Sequence, residues 1–238
     1  GYDIGDWDAE RYVNTQFPTV GPCNSVVFVV HGMHNDLLIA NNEFTMTGSG
    51  IDAFCYTIDL SSSNSPADHE RVRVQRNRIQ STIGQSIGVE NCVDCVVSDN
   101  VIVQSNVSVT HNVIGVSYKA NSAPGDIQTA RTVIQNNSIY LPTGGTAVAI
   151  DGDPALGDGY VVENNAVWTN GGTCFGLGRP TLRYGITYCS TGGEAPGPIW
   201  VDAPGGDFRP AGSGPLIGTA NQTFYSPVAI GSVAWSPL

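Results

Sequence analysis

VDCVVSDNVIV, residues 93–103, holds one copy of a pattern that occurs five times in the chain. Each copy has an apolar residue, two variable residues, an asparagine, one variable residue and a second apolar residue. The copies are Ile39-x-x-Asn42-x-Phe44, Val74-x-x-Asn77-x-Ile79, Val97-x-x-Asn100-x-Ile102, Ile134-x-x-Asn137-x-Ile139 and Val162-x-x-Asn165-x-Val167. The asparagines lie 35, 23, 37 and 28 residues apart (42 to 77, 77 to 100, 100 to 137, 137 to 165). The excess over 23 falls in three polar insertions, Asp59–Glu70, Tyr118–Arg131 and Asp151–Gly159. A bare turn is therefore about 23 residues, and the insertions are expected at one corner of a repeat.

Each turn also carries a second β-prone run: Phe54–Ile58, Ser86–Val89, Val113–Val116, Ala147–Ile150 and Cys174–Leu177. Val26–Val30 is a further such run ahead of the first copy. The alternation has period two in short segments, and no helical period is visible. Short parallel strands stacked turn on turn bury each apolar face only against neighbouring turns. The spacing predicts inward columns five and three residues before each ladder asparagine and two after it. An asparagine repeated at a turn has two physical uses: it tolerates the left-handed region, and its amide can bond the same amide one rung along.

Residues 1–25 are expected to be irregular, with Asp8–Asn14 as one short helix; residues 26–177 form the repeat; residues 178–238, rich in Gly and Pro, form a cap and a segment packed along it. Solenoid ends need such cover.

The chain has 238 residues, of which 13% are charged, and a formal net charge of -11 with 10 Lys and Arg together. No basic stripe exists for a phosphate backbone, so nucleic acid is not an expected partner. No apolar run is long enough to span a membrane. Six cysteines, Cys23, Cys55, Cys92, Cys95, Cys174 and Cys189, suggest an exported or cell-surface protein with disulfides. Cys174 with Cys189, and Cys55 with Cys92, are two pairings the repeat would allow. Cys92-x-x-Cys95 has no second such pair, so zinc is not expected. The chain opens Gly1-Tyr2-Asp3 without a methionine, as expected of a processed chain.

The repeated V-x-x-N-x-I turns resemble right-handed parallel β-helix proteins of the pectate-lyase-like type. Asp207–Gly218, DFRPAGSGPLIG, resembles the segment that follows the last coil in bacterial secreted members. The resemblance spans roughly residues 26–218 and implies an all-β, right-handed parallel β-helix solenoid of about five to six coils. It implies a polysaccharide partner lying along an outward sheet face. It does not select among lyases, epimerases, hydrolases, tailspikes and non-catalytic adhesins.

Outward columns beside the ladder include Gln75, Gln135 and Glu163, two before the asparagine, and Tyr140 and Trp168, three after it. Tyr140 and Trp168 should be neighbours on adjacent rungs. They would serve either as a stacking platform for sugar rings or as a surface for the tail to cover, like the outward apolar column Leu38, Val96, Val133 and Val161. β-Elimination on a uronate needs charge neutralisation, a base and a proton donor to the leaving oxygen. Lys119 or His69 would be the base, with Arg73 or Arg131 neutralising the carboxylate. Asp151, Asp153 and Asp158 suggest a hard-cation site suited to Ca2+; glycoside hydrolysis needs two carboxylates at a defined separation, for which Asp151 and Asp153 would serve, although the paired-Asp motifs of the polygalacturonase-like families are not present as such. The expected function is an exported polysaccharide-binding protein acting on an acidic polymer as a lyase or epimerase. The alternative is a non-catalytic surface, adhesin or spike module, monomeric unless spike-like, in which case a trimer.

Overall fold

A computed structural model describes residues 27–29, 34–46, 56–60, 69–81, 84–90, 92–105, 112–117, 131–150, 160–177, 183–191, 199–212 and 214–216. The expected helix Asp8–Asn14 lies outside them. The described residues contain strands and no helix, so none is long and apolar enough to cross a membrane.

The strands form large parallel sheets stacked turn on turn, as in a β-helix. One sheet has six strands: Val27–Val29, Tyr56–Leu60, Gln85–Glu90, Asn112–Ser117, Thr146–Ile150 and Thr173–Leu177. A second has three, His34–Asn35, His69–Glu70 and Cys92–Val93. The third, the ladder sheet, has ten and carries all five asparagines at its fold line. Its two flanks, for example Arg73–Gln75 and Arg78–Ser81, meet in the long strand Val161–Thr169. Ile39, Val74, Val97, Ile134 and Val162 are in register across it and buried. So are Ile79, Ile102, Ile139 and Val167, and the column Val72, Cys95, Thr132 and Tyr160 is buried as well. Burying one such aliphatic side chain contributes about 1.5–3 kcal/mol, so the columns, added rung by rung, hold the turns together.

The asparagines form a directed hydrogen-bond chain. Nδ2 of Asn42 donates to Oδ1 of Asn77 at 3.0 Å, Asn77 to Asn100 at 3.1 Å, Asn100 to Asn137 at 3.0 Å and Asn137 to Asn165 at 2.9 Å. Each acceptor oxygen also takes the backbone N–H of the preceding asparagine. The second proton of each interior amide goes to a strand carbonyl of the rung before, such as Val74 O for Asn100. Asn77, Asn100, Asn137 and the terminal Asn165 are fully satisfied amides in a buried row, and aligned amides polarise one another.

The left-handed residue is not the ladder asparagine. Positive φ falls one position earlier, on Asn41, Arg76, Asp99, Asn136 and Asn164, at 53° to 60°. A second left-handed column sits six before the ladder, at Asp36, Arg71, Asp94 and Arg131. One left-handed residue turns the chain sharply and lets the next residue point inward. The ladder asparagine is that next residue, so its role is the amide row and not the turn.

The strands Tyr56–Leu60, Asn112–Ser117 and Thr146–Ile150 lead into the three insertions, and Gln85–Glu90 leads almost directly into Cys92–Val93. In the chain, the three insertions therefore each follow the C-terminal end of a strand of this parallel sheet.

The parallel pairing runs past residue 177: Arg183–Ser190 pairs with Val161–Thr169. Ile186 stands opposite Asn165, with irregular register on either side, and the amide row ends there. Nδ2 of Asn165 turns to Glu163 O and Ile134 O. Cys174 bonds Cys189 and ties the six-stranded sheet to this last strand. Cys92 bonds Cys95 and not Cys55, because the left-handed corner at Asp94 brings their Cα atoms to 6.0 Å. The two disulfides fit an extracellular protein.

Candidate functional site

The expected sugar platform is built as a pair. Tyr140 and Trp168 are opposite in register, with ring centroids 5.1 Å apart and planes at 31°. It is also covered. The antiparallel hairpin Trp200–Asp202 with Asp207–Pro210 packs Trp200, Ala203 and Phe208 against them. Trp168 is 8% exposed and Tyr140 is half-buried. The hairpin reaches as far as the second rung, where Arg78 donates to Gly206 O at 3.0 Å. Gly206 has φ 86°, and a Cβ there would run into the Arg78 guanidinium.

Gln75, Gln135 and Glu163 share one column, with Ser98 between Gln75 and Gln135. Gln75 and Glu163 are buried and Gln135 is half-buried. The neighbouring outward column Val96, Val133 and Val161 forms a small buried cluster of its own, whereas Leu38 is 53% exposed.

Among the proposed catalytic groups, His69 is fully buried, on the same face as the core residue Cys92 opposite it. Arg73 is half-buried at the start of its strand. Arg131 donates twice to Asp94, at 2.6 and 2.9 Å. Arg71 makes the same fork to Asp36, at 2.7 and 3.0 Å. The left-handed column thus alternates Asp, Arg, Asp, Arg, and its opposite charges join rungs pairwise. The hydrogen bonds it donates to Asp94 hold the Arg131 guanidinium more firmly protonated than usual, and Arg71 holds the Asp36 carboxyl below its ordinary range. Lys119, Asp151, Asp153 and Asp158 lie outside the described residues. Among the described residues no group of three His, Cys, Asp or Glu could hold a metal ion.

A different surface offers an open site. In the six-stranded sheet, Ile58, Ile87, Ile114 and Val148 point into the core, as do Leu60, Val89, Val116 and Ile150. The residues between them point outward because the side-chain period is two. These are Asp59, Gly88, Gly115, Ala149 and Gly176, in register from strand to strand. Four small residues make a floor running along the solenoid. Tyr56 and Gln85 lean across it: a Cβ on Gly88 would lie 2.8 Å from the Tyr56 ring, and one on Gly115 would lie 3.2 Å from the Gln85 amide. Here glycine is needed for close approach.

The resulting cleft has a volume of about 290 Å³, with Tyr56, Gln85, Glu90 and Asn112 among its walls. The Asp59 carboxylate lies 3.3 Å from the Cβ position of Gly88. Asp59 and Glu90 are 4% and 6% exposed. Burial first, then the charges of Asp59 and Glu90, push the Tyr56 phenol far above its ordinary range, so it stays a neutral hydroxyl donor. Among the described residues no Lys or Arg lines the cleft. The site can offer hydrogen bonds, a ring face and negative charge along a narrow flat floor.

Compared with known proteins, the chain matches no family model, no curated protein and no solved structure.

Proposed function

We propose that this chain is a right-handed, pectate-lyase-like β-helix, exported, that binds an extended polysaccharide along the glycine-floored groove of its six-stranded sheet. The observation that carries the reading is the run of Gly88, Gly115, Ala149 and Gly176, in register over four strands. Tyr56 and Gln85 roof Gly88 and Gly115, and beside them the half-exposed Ala149 and Gly176 leave a side-chain-poor surface against which a flat ring can lie; ligand sites are concave with a few placed polar groups. Tyr56, Gln85 and Asn112 supply hydrogen bonds suited to hydroxyls. The two disulfides support an extracellular setting.

Binding without cleavage fits these residues better than elimination. Arg131 is engaged by Asp94, and His69 has no solvent exposure. Among the described residues that line the groove, the charged one is Glu90. Elimination or epimerisation of an acidic polymer through Lys119 is the second reading, with Asp151, Asp153 and Asp158 as the residues that would hold Ca2+. Incubation with pectin, alginate and glycosaminoglycans separates the two. The proposal expects retention of a polysaccharide with no growth of unsaturated-uronate absorbance. Growth of that absorbance would move the chemistry to the insertions.

A further inference from the structure

We propose that the groove receives the end of a glycan chain and not its middle: the terminal sugar abuts Tyr56, and the chain leaves over Ala149 and Gly176. The inference rests on the groove reading above and adds to it which part of the polymer is held.

A gradient of side-chain size along the sheet carries the argument. Tyr56 pairs with Gln85, Asn112 with Thr146, and Thr146 with Thr173. Gln85 and Asn112 each stand two residues before a paired isoleucine, Ile87 opposite Ile114, and so share that column. The column Tyr56, Gln85, Asn112, Thr146, Thr173 therefore shrinks rung by rung beside the small-residue column Gly88, Gly115, Ala149, Gly176. Its members lean over the small residue of the next rung. A Cβ on Gly88 would lie 2.8 and 2.9 Å from two ring carbons of Tyr56, and one on Gly115 would lie 3.2 Å from Nε2 of Gln85. A Cβ on Gly176 would be in ordinary contact with the Thr146 methyl, at 3.4 Å. Exposure follows the same gradient: Gly88 and Gly115 are buried, Ala149 and Gly176 are half-exposed, and Thr173 is exposed. The groove is filled at the Tyr56 end and opens toward Thr173.

The size of the cleft agrees. Its walls run from Tyr56 to Ala149 over four adjacent strands, about 14 Å at the usual strand spacing. Its volume of about 290 Å³ stands at the low end of the roughly 300–1,000 Å³ that enclose a drug-sized ligand, room for about one or two sugar rings. An internal sugar seated there would carry a neighbour on both sides, and one neighbour would fall where the Tyr56 ring packs on Gly88. A terminal sugar has a hydroxyl in place of that linkage. The half-buried amides of Gln85 and Asn112 both donate and accept, as a ring with an extra hydroxyl requires.

The test is calorimetric titration of the full chain with size-graded fractions of xylan, mannan, chitosan and galacturonan. For the glycan that binds, end recognition expects a single protein per glycan chain at every length. At equal mass, long chains should therefore saturate several-fold less protein than short ones. Tyr56→Ala removes the ring at the blind end, and its count per long chain should rise with length. Thr173→Val, at the open end, should keep the count of the natural chain. A count that rises with length in the natural chain would mean that glycans pass across Tyr56; it would overturn the inference and leave the groove reading standing. A count that stays single in a folded Tyr56→Ala would overturn it as well, since Tyr56 would then not be the stop. Failure of every fraction to bind would remove the groove reading too.

Discussion

The side-chain oxygen of Asn100 accepts two hydrogen bonds from Asn77, from its backbone N–H at 3.0 Å and from its Nδ2 at 3.1 Å. Asn100 then donates its own Nδ2 to Asn137 and to Val74 O, both at 3.0 Å. Its side chain therefore closes every bond it can make, in a site with no solvent. Asn100→Ala should cost about 3 kcal/mol, because it leaves buried donors on Asn77 and a buried carbonyl on Val74 without partners. Asn42→Ala, at the exposed end of the row, should cost under about 1 kcal/mol. Urea denaturation of both variants measures the contrast; equal losses would mean that the amides do not act as a row.

The turn itself belongs to the preceding residue. Asp99 has φ 57° and is exposed; its carboxylate accepts from Ser98 Oγ at 2.8 Å and its backbone N–H donates to Gln135 O at 3.2 Å. Asp99→Val places a β-branched residue in the left-handed region and should lose about 1–2 kcal/mol, more than Asp99→Asn loses. The pair compared by thermal unfolding isolates backbone conformation from the loss of charge.

Arg131 and Asp94 form a forked ion pair between rungs, with Arg131 47% exposed at its side chain. A double-mutant cycle with Arg131→Ala and Asp94→Ala should give a coupling of about 0.2–1 kcal/mol, the range of an exposed pair. Glycan binding should be unchanged in both single variants. Loss of binding in Arg131→Ala alone would return this arginine to a ligand-contacting role.

Trp200 is fully buried and meets Phe208 edge-on with centroids 5.0 Å apart. Together with Ala203 it covers Trp168 and Tyr140. Trp200→Ala should remove about 3–5 kcal/mol from the docking of the hairpin. Oxidative footprinting read by mass spectrometry should then show Trp168 and Tyr140 labelled several-fold faster, with the Asn row intact. Unchanged labelling would mean that other segments cover the aromatic pair.

The ladder was legible because its columns repeat within a segment free of insertions. Ile39, Val74, Val97, Ile134 and Val162 could be aligned by counting from the asparagine. The same counting misassigned the turn by one residue. Asn41, Asn136 and Asn164 sit directly before ladder asparagines, and Arg76 and Asp99 in the other copies are not residues that announce a left-handed turn. The alternation of Asp36, Arg71, Asp94 and Arg131 lay one column outside the core positions, so Arg131 read as a loop cation.

The groove left a fainter signal. Ile87-Gly88-Val89 and Ile114-Gly115-Val116 are the same triplet, and Val148-Ala149-Ile150 and Phe175-Gly176-Leu177 repeat its apolar-small-apolar form. Their register depends on the lengths of the segments between the sheets, which sequence spacing alone does not fix. Nor could sequence show that the hairpin near residue 200 would cover one aromatic face, or that Tyr56 and Gln85 would cover Gly88 and Gly115 and leave Ala149 and Gly176 half-exposed.

The central claim is that a polysaccharide lies on that floor, and Ala149→Ile tests it most directly. Ala149 faces outward, is half-exposed and lines the cleft, so a larger β-branched side chain fills the groove at a position suited to a strand. Titration of neutral, amino and acidic polysaccharides against both proteins should find at least one that binds the natural chain and binds Ala149→Ile about tenfold or more weakly, with no loss in thermal stability. Equal binding by Ala149→Ile, or binding of no polysaccharide to the natural chain, would contradict the account.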